Sequence, residues 1–415
     1  MRNVDAAGLG IGDDHPPRIM GVLNVSKESP YSPSVFDDPG EAAEYVDEAL
    51  IDEGADIVDV GLESANKRFE VLSAEQELDR LDTAVETLAS TSGDAVWSIE
   101  TRYHEVAEAA LDRGFDMVND ICGFADPKMP EVCAARDAAV AKMASPPDLE
   151  RPGAVEEIDD IYEALAQNGF TDKTILDPAF GGWSEAKTLE HDRETFRRLR
   201  EFRGYGRPLL VSINRKNFLR SVADRDTDEA LPVSLAATSM AVERGAHVIR
   251  THDVAETRDA ALIGKEFARD RLRETGPDAE VTVEELDVTT PREAERHLDR
   301  LDATAGRESP DSTDLADRSV VRIYELGGLS PEERGALRSA IAGTGAAFVL
   351  AGAAATETEG ASTASPSTDG GDPTPEPASG LLVGTPAALA AADDAYSGDS
   401  DAVGEVMRSI TRSFS

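Results

Sequence analysis

The side chains able to do chemistry in this chain stand at the ends of short apolar runs. "IMGVLN" finishes on Asn24, "VWSIET" carries Glu100, "DMVND" carries Asn119 and Asp120, and "TILDP" carries Asp177. "LLVSIN" ends on Asn214 and is followed by Arg215 and Lys216, while "VIRTHD" carries Arg250 and His252. Carboxylates and amides come from the middle runs and cations from the last two. Carboxylate and amide groups pair with the donors and acceptors of a heterocycle edge, whereas Arg makes forked contacts to phosphate oxygens. The pattern implies a two-part ligand, a flat ring at one end and an anion at the other, with Arg250 and His252 as a recessed cationic pair. Each residue alone has a plainer reading. Asp177 before Pro178 reads as a turn former, Asn119 as a loop cap, His252 as a core imidazole and Lys216 as a solvated lysine. The set carries the inference, not any member.

Eight such runs begin at Ile19, Asp56, Val96, Asp116, Ala138, Thr174, Leu209 and His247. Helix-like stretches such as "GEAAEYVDEALIDEGA" and "YHEVAEAALDRGF" lie between most of them, with Gly54 and Gly114 where a helix would stop. Strands alternating with helices imply a parallel sheet. Eight units in residues 18–275 predict an α/β fold of the (β/α)8 TIM-barrel class, with a doubly wound open sheet as the alternative. In such a barrel the site lies at the C-terminal rim, and phosphate sites commonly follow the seventh and eighth strands. Residues 1–17 read as an N-terminal tail. Residues 280–415 read as a smaller α/β accessory domain, with strands in "VTVEELDV", "SVVRIYELGG", "AAFVLAG" and "GLLVGT" and a capped helix starting at Ser330-Pro331-Glu332-Glu333. Two polar inserts interrupt it: "AGRESPDSTDLAD" and a low-complexity segment at about 354–379, which is expected to be disordered.

Among 415 residues, 82 are acidic and 41 basic, a net charge of −41, and only 8 of the basic residues are Lys. A surface so charged self-repels until salt screens it, which points to a halophilic setting and a high-salt cytoplasm. It argues against nucleic-acid binding, since phosphate backbones would be repelled. Two cysteines without metal-ligand spacing make a disulfide framework or zinc site unexpected. No signal peptide and no apolar run approaching the ~18 residues of a membrane span are evident.

The stretches "IMGVLNVSKESPYS", "DIVDVGLES", "SIETRYHEVAEAALDRGFDMVNDICG", "ILDPAFGG", "VSINRKNF" and "VIRTHDV" resemble, in order and near spacing, those of dihydropteroate synthases. The resemblance covers roughly residues 18 to 265. It implies a (β/α)8 barrel that joins a dihydropterin pyrophosphate to 4-aminobenzoate and releases pyrophosphate with Mg²⁺. By position it implies Asn24 as metal ligand, Glu100, Asn119 and Asp177 on the pterin edge, Lys216 beside the ring, and Arg250 and His252 on the pyrophosphate. It also implies a modest tendency to form homodimers.

The pattern breaks in four places. The family's Ser-Thr-Arg-Pro-Gly loop is "ESANKRFE" here, with Ala65 and Asn66 in place of Thr and Arg, and with Lys67 and Arg68 as candidate substitutes on the pyrophosphate. Glu28-Ser29-Pro30 replaces an Asp-Ser-Phe pattern, Glu100 replaces Asp, and "KMASPPD" replaces a His-containing segment. The pterin and anion pockets look retained while the loops for the second substrate look rewritten. Another arylamine acceptor, a non-catalytic pterin binder and a pterin-dependent methyltransferase domain therefore stand as alternatives.

Overall fold

The computed structural model describes residues 2–25, 34–63, 71–149, 155–181, 186–274, 283–305, 312–350, 378–396 and 402–414. The chain divides into two compact units, Met1–Asp287 and Val288–Ser415.

The first unit opens with a hairpin, β1 (Val4–Ala6) against β2 (Leu9–Ile11). Eight parallel strands follow: β3 (Arg18–Asn24), β4 (Ile57–Gly61), β5 (Val96–Thr101), β6 (Met117–Asp120), β7 (Ala139–Met143), β8 (Thr174–Asp177), β9 (Leu210–Val211) and β10 (Val248–Thr251). They pair in the order β8-β7-β6-β5-β4-β3-β10-β9. A parallel bridge between Leu176 and Leu209 joins β8 to β9, so the sheet closes into a (β/α)8 barrel. The open-sheet alternative is thereby set aside. Gly54 and Gly114 end their helices with φ of 103° and 106°, the left-handed geometry that a Cβ would strain.

Side chains alternate along every strand. Ile19, Leu23, Val58, Val60, Trp97, Ile99, Val118, Val140, Leu176, Val211 and Ile249 face outward and form one core with the surrounding helices. Met20, Ile57, Val96, Met117, Ala139, Ala141, Ile175, Leu210 and Val248 face inward and form a second, smaller core. Val4, Ala6 and Ile11 of the hairpin belong to that inner core. The N-terminal segment, expected as a tail over residues 1–17, thus seals the barrel floor through Val4, Ala6 and Ile11. The alternation in "VDAAGLGI" is too short to announce a hairpin, but the exposed apolar floor needs a cover. The short strands β11 (Arg273–Glu274) and β12 (Val283–Glu284) pair antiparallel and end this unit. Only two residues of "VTVEELDV" are therefore strand among those described, and the pair belongs with the barrel rather than with the second unit.

In the second unit, β13 (Arg322–Leu329), β14 (Ala347–Leu350) and β15 (Ala378–Gly384) form an antiparallel sheet in the order β13-β15-β14. Helices Pro331–Ile341, Pro386–Ala395 and Ala402–Arg412 bury Leu337, Leu389 and Met407 with Leu326 and Leu382 of the sheet. The cap at Ser330 is a reciprocal box: its side chain accepts from Glu333 N–H, and Glu333 accepts from Ser330 N–H at 2.7 Å. The end of the first polar insert is helical over Ser312–Asp317, and a further helix, Pro291–Ala305, precedes it. Residues 354–377 of the low-complexity segment lie outside the described residues.

Candidate functional site

The inner face of the barrel changes character one layer above its apolar floor. Asp59, Ser98, Asn119 and Arg250 take the next inward positions on β4, β5, β6 and β10, each two residues beyond Ile57, Val96, Met117 and Val248. Strand register then aligns Asn24 with Gly61, Gly61 with Glu100, and Glu100 with Asn119. Residues separated by up to 95 positions in sequence therefore share one rim.

Asp59 organises this layer. It is fully buried, accepts Ser98 Oγ at 2.7 Å and Asn119 Nδ2 at 3.0 Å, and receives Arg250 Nε at 2.7 Å. Arg250 Nη2 reaches Glu100 at 2.6 Å. One guanidinium thus bridges two carboxylates, and Nη1 is left without a bond to any described residue. Burial pushes the Glu100 carboxyl up to about 7; Arg250 opposes the rise while Asp59 and Glu63 add to it. Asp59 stands in the middle of its strand, away from the strand ends at which the sequence pattern gathers its polar groups. The available signal was a charged residue in the middle of the otherwise apolar "IVDVG".

Asp177 is buried at the end of β8 and accepts Ala179 N–H through Oδ1 at 2.8 Å. Burial raises its carboxyl to about 6. Lys216 begins the helix Asn217–Ala223 and packs against Gly181, where a Cβ would lie 3.1 Å from Nζ. Burial holds the Lys216 ammonium below its ordinary value; Arg250 adds to the shift, and Asp177, Asp192 and Glu100 oppose it. These groups therefore feel one another across one mouth. His252 differs from its sequence reading as half of a cationic pair. Burial, with Arg250 beside it, pushes its imidazole down to about 3, so it stands neutral near pH 7. Arg215, one of the cations that follow the seventh strand, is forked onto Asp253 by two bonds of 2.8 Å, and Asn214 joins the same carboxylate at 2.9 Å.

Arg102 is a second residue that sequence reading passed over. Its side chain is fully buried, pairs with Glu63 and donates to Leu72 O at 2.7 Å. Glu63 and Leu72 flank the stretch that holds Ala65, Asn66, Lys67 and Arg68, so Arg102 ties its two ends together. Those four residues, and Glu28-Ser29-Pro30, lie outside the described residues; the candidate role of Arg68 has no structural counterpart here. Asn24 gives its Nδ2 to Ser34 at 3.0 Å, and its Oδ1 lies 3.0 Å from where a Cβ on Gly61 would sit. The absence of that Cβ leaves room beside a neutral oxygen donor, and oxygen donors suit Mg²⁺.

Residues 20–252 match the family model described as pterin binding enzyme. A probable bifunctional folylpolyglutamate synthase/dihydropteroate synthase of Haloferax volcanii is 33% identical over 269 residues, 61% of this chain and 31% of its own length. The dihydropteroate synthase of Escherichia coli is 32% identical over 276 residues, 62% of this chain and 94% of its own. The chain thus spans about a third of that haloarchaeal relative and nearly all of the bacterial one. A dihydropteroate synthase of Coxiella burnetii, solved with pteroic acid, superposes with a TM-score of 0.54 at 28% identity, covering 64% of this chain and 98% of the other. No helix among the described residues is long and apolar enough to cross a membrane.

Proposed function

Because the chain belongs to the pterin binding enzyme family, we propose that it is a transferase of the dihydropteroate synthase kind. The amine of 4-aminobenzoate attacks the methylene of 6-hydroxymethyl-dihydropterin pyrophosphate. A C–N bond forms, the C–O bond to pyrophosphate breaks, and the amine gives up a proton. The observation that carries this reading is the Asp59-centred layer, which aims amide and carboxylate groups at the barrel axis and a guanidinium at its rim.

A pterin edge offers adjacent N–H donors, and the free carboxylate oxygen of Asp177, with Asn119 and Glu100, supplies acceptors and a donor for it. Lys216 flanks the ring. Arg250 turns Nη1, and His252 its neutral imidazole, toward the departing pyrophosphate. An arylamine is already a nucleophile, so no activated Ser or Cys is required. The barrier lies in detaching an anion, and charge-neutralising groups held in a dry site lower it most. Asn24 would hold Mg²⁺, which when bound supplies further neutralisation of the leaving group. The net charge of −41 supports a salt-rich cytoplasm as the proposed setting, and a homodimer is the proposed assembly.

The test is pyrophosphate release from the dihydropterin pyrophosphate in molar KCl with Mg²⁺, with and without 4-aminobenzoate. Amine-dependent release supports the reading. Release driven only by another arylamine keeps the transferase and changes its acceptor. Tight pterin binding with no release for any arylamine overturns catalysis in favour of a binding protein.

A further inference from the structure

The opposite end of the barrel holds a second recessed cluster of cations. A cavity of about 200 Å³ there is lined by Asp13, Arg203, His247, Lys265, Arg271 and Arg273 among others. Asp13 follows β2, Arg203 lies in the turn of helix Leu199–Tyr205 before β9, His247 directly precedes β10, and Lys265 ends helix Val254–Glu266. All therefore stand at the N-terminal ends of the strands, away from the rim that carries Arg250.

Asp13 is the hub. Its carboxylate accepts Arg203 Nη2 at 2.8 Å and His247 Nε2 at 3.0 Å, and faces Arg271 Nη2 at 3.4 Å. His247 Nδ1 accepts Leu209 N–H at 3.0 Å, so Nε2 carries the proton and the ring is neutral, in line with burial lowering its pKa. Among the described residues Lys265, at the exposed mouth, donates to the backbone oxygen of Asp13, at 3.4 Å. One buried carboxylate thus answers three permanent cations, Arg203, Arg271 and Lys265. The whole lining carries five permanent cations against four carboxylates, a net charge of +1, of which the carbonyl end of the helix offsets about half. Arg273 is matched by Asp14 at 2.6 Å and Glu284 at 3.7 Å. The wall carboxylates Glu243 and Asp287 are both drawn to Arg200, and Asp270 is exposed to screening by salt. In a chain with twice as many acids as bases, a concave surface with unmatched positive charge at its floor is an anion receptor in form.

We propose that this cavity binds a small oxyanion of the phosphate class, held by Arg271 and Lys265 with Arg203 behind Asp13. The anion joins the end of the last barrel helix, through Lys265, to the segment that leaves it, through Arg271, so its binding favours the folded barrel.

The test is thermal unfolding of the full chain in molar KCl at constant ionic strength, titrated with inorganic phosphate or pyrophosphate, beside ³¹P line broadening at 25 °C. The expected result is a saturable rise in Tm in the parent. Lys265→Met, an exposed position that leaves the fold intact, and Arg271→Met each weaken half-saturation about tenfold or more, while His252→Ala at the other rim keeps the effect. Comparable effects of the two anions identify a monophosphate site, and a stronger pyrophosphate effect identifies a diphosphate site. No saturable effect in the parent, or one that survives Lys265→Met and Arg271→Met but vanishes in His252→Ala, overturns the proposal.

Discussion

Arg250→Met is the sharpest test of how the site is held together. The sequence alone suggests a clean loss of the anion grip with the ring pocket spared. The structure argues otherwise, because the Arg250 guanidinium sits 2.7 Å from Asp59 and 2.6 Å from Glu100. Removing one partner of a buried ion pair costs about 3–5 kcal/mol, since the remaining charge is left uncompensated. Glu100 can limit that cost by taking up a proton, because its carboxyl already stands at about 7 and loses its main opposing cation. The variant should therefore lose about 3 kcal/mol near pH 7, roughly 6–12 °C in Tm for a unit of this size. The sign of the pH dependence follows. Glu100 has a folded pKa raised above its unfolded value, so its contribution to stability is present at low pH and lost as pH rises through the folded pKa. In the variant that pKa lies higher still, so the gap between parent and variant is smallest below pH 7. Above it the gap widens by up to about 1.4 kcal/mol per pH unit. Asn119 leans on the same Asp59, so affinity for a simple pterin should fall together with affinity for its pyrophosphate. Chemical denaturation from pH 6 to 8.5 and calorimetric titration with both ligands measure these effects. Adding Glu100→Gln to the variant should restore part of the stability and flatten the pH dependence without restoring turnover. A variant with parental stability and parental pterin affinity would refute the bridging role.

His252→Ala should divide the two ligands where Arg250→Met does not: about tenfold or greater loss for the pyrophosphate ester and less than threefold for a simple pterin, read by calorimetry. Asp177 should give pterin affinity a pH dependence. The ring's N–H donors favour the ionised carboxylate, so affinity should fall about tenfold per unit below pH 6 in the parent, and Asp177→Asn should bind weakly and without that slope. Asp13 has its carboxyl held well below the usual range by His247 and Arg203 despite its burial. Its stabilising contribution is present above the unfolded carboxylate value near 4 and is lost as pH falls below it. Asp13→Asn should cost about 3 kcal/mol at pH 7 and lose less at pH 3, as denaturant titrations at the two pH values would show. Truncation after Asp287 should leave a soluble barrel that still binds pterin, whereas truncation after Arg271 should not be equivalent, because it removes β11 and the Arg273–Asp14 pair.

What could be read from the sequence, and what could not, follows from how each feature is encoded. The eight strands were legible because a buried parallel strand is a short continuous apolar run, and the helices between them repeat at 3.6 residues. The C-terminal rim was legible because polar groups ending such runs have nowhere else to point. The floor hairpin was not, since three-residue strands carry too little pattern; only the closed barrel reveals an apolar surface that needs covering. The protonation of His252 was invisible for a different reason. Its neutrality is a property of the dry space around it and of the neighbouring guanidinium, and neither is written in the string "VIRTHDV".

Asp59 marks the deeper gap. A carboxylate in the middle of a buried strand is costly unless several donors meet it, and here Ser98, Asn119 and Arg250 arrive from three other strands. That cost is what fixes the site: a slip of β5, β6 or β10 by two residues would take away one of the three donors that meet the buried Asp59 carboxylate. The residues at the rim can vary, as Glu100 in place of the family's Asp illustrates, because the layer beneath them sets where the strands stop. In this barrel the ligand-facing groups are therefore positioned by a side chain that touches none of the proposed reacting atoms, and a reading confined to strand ends could not find it.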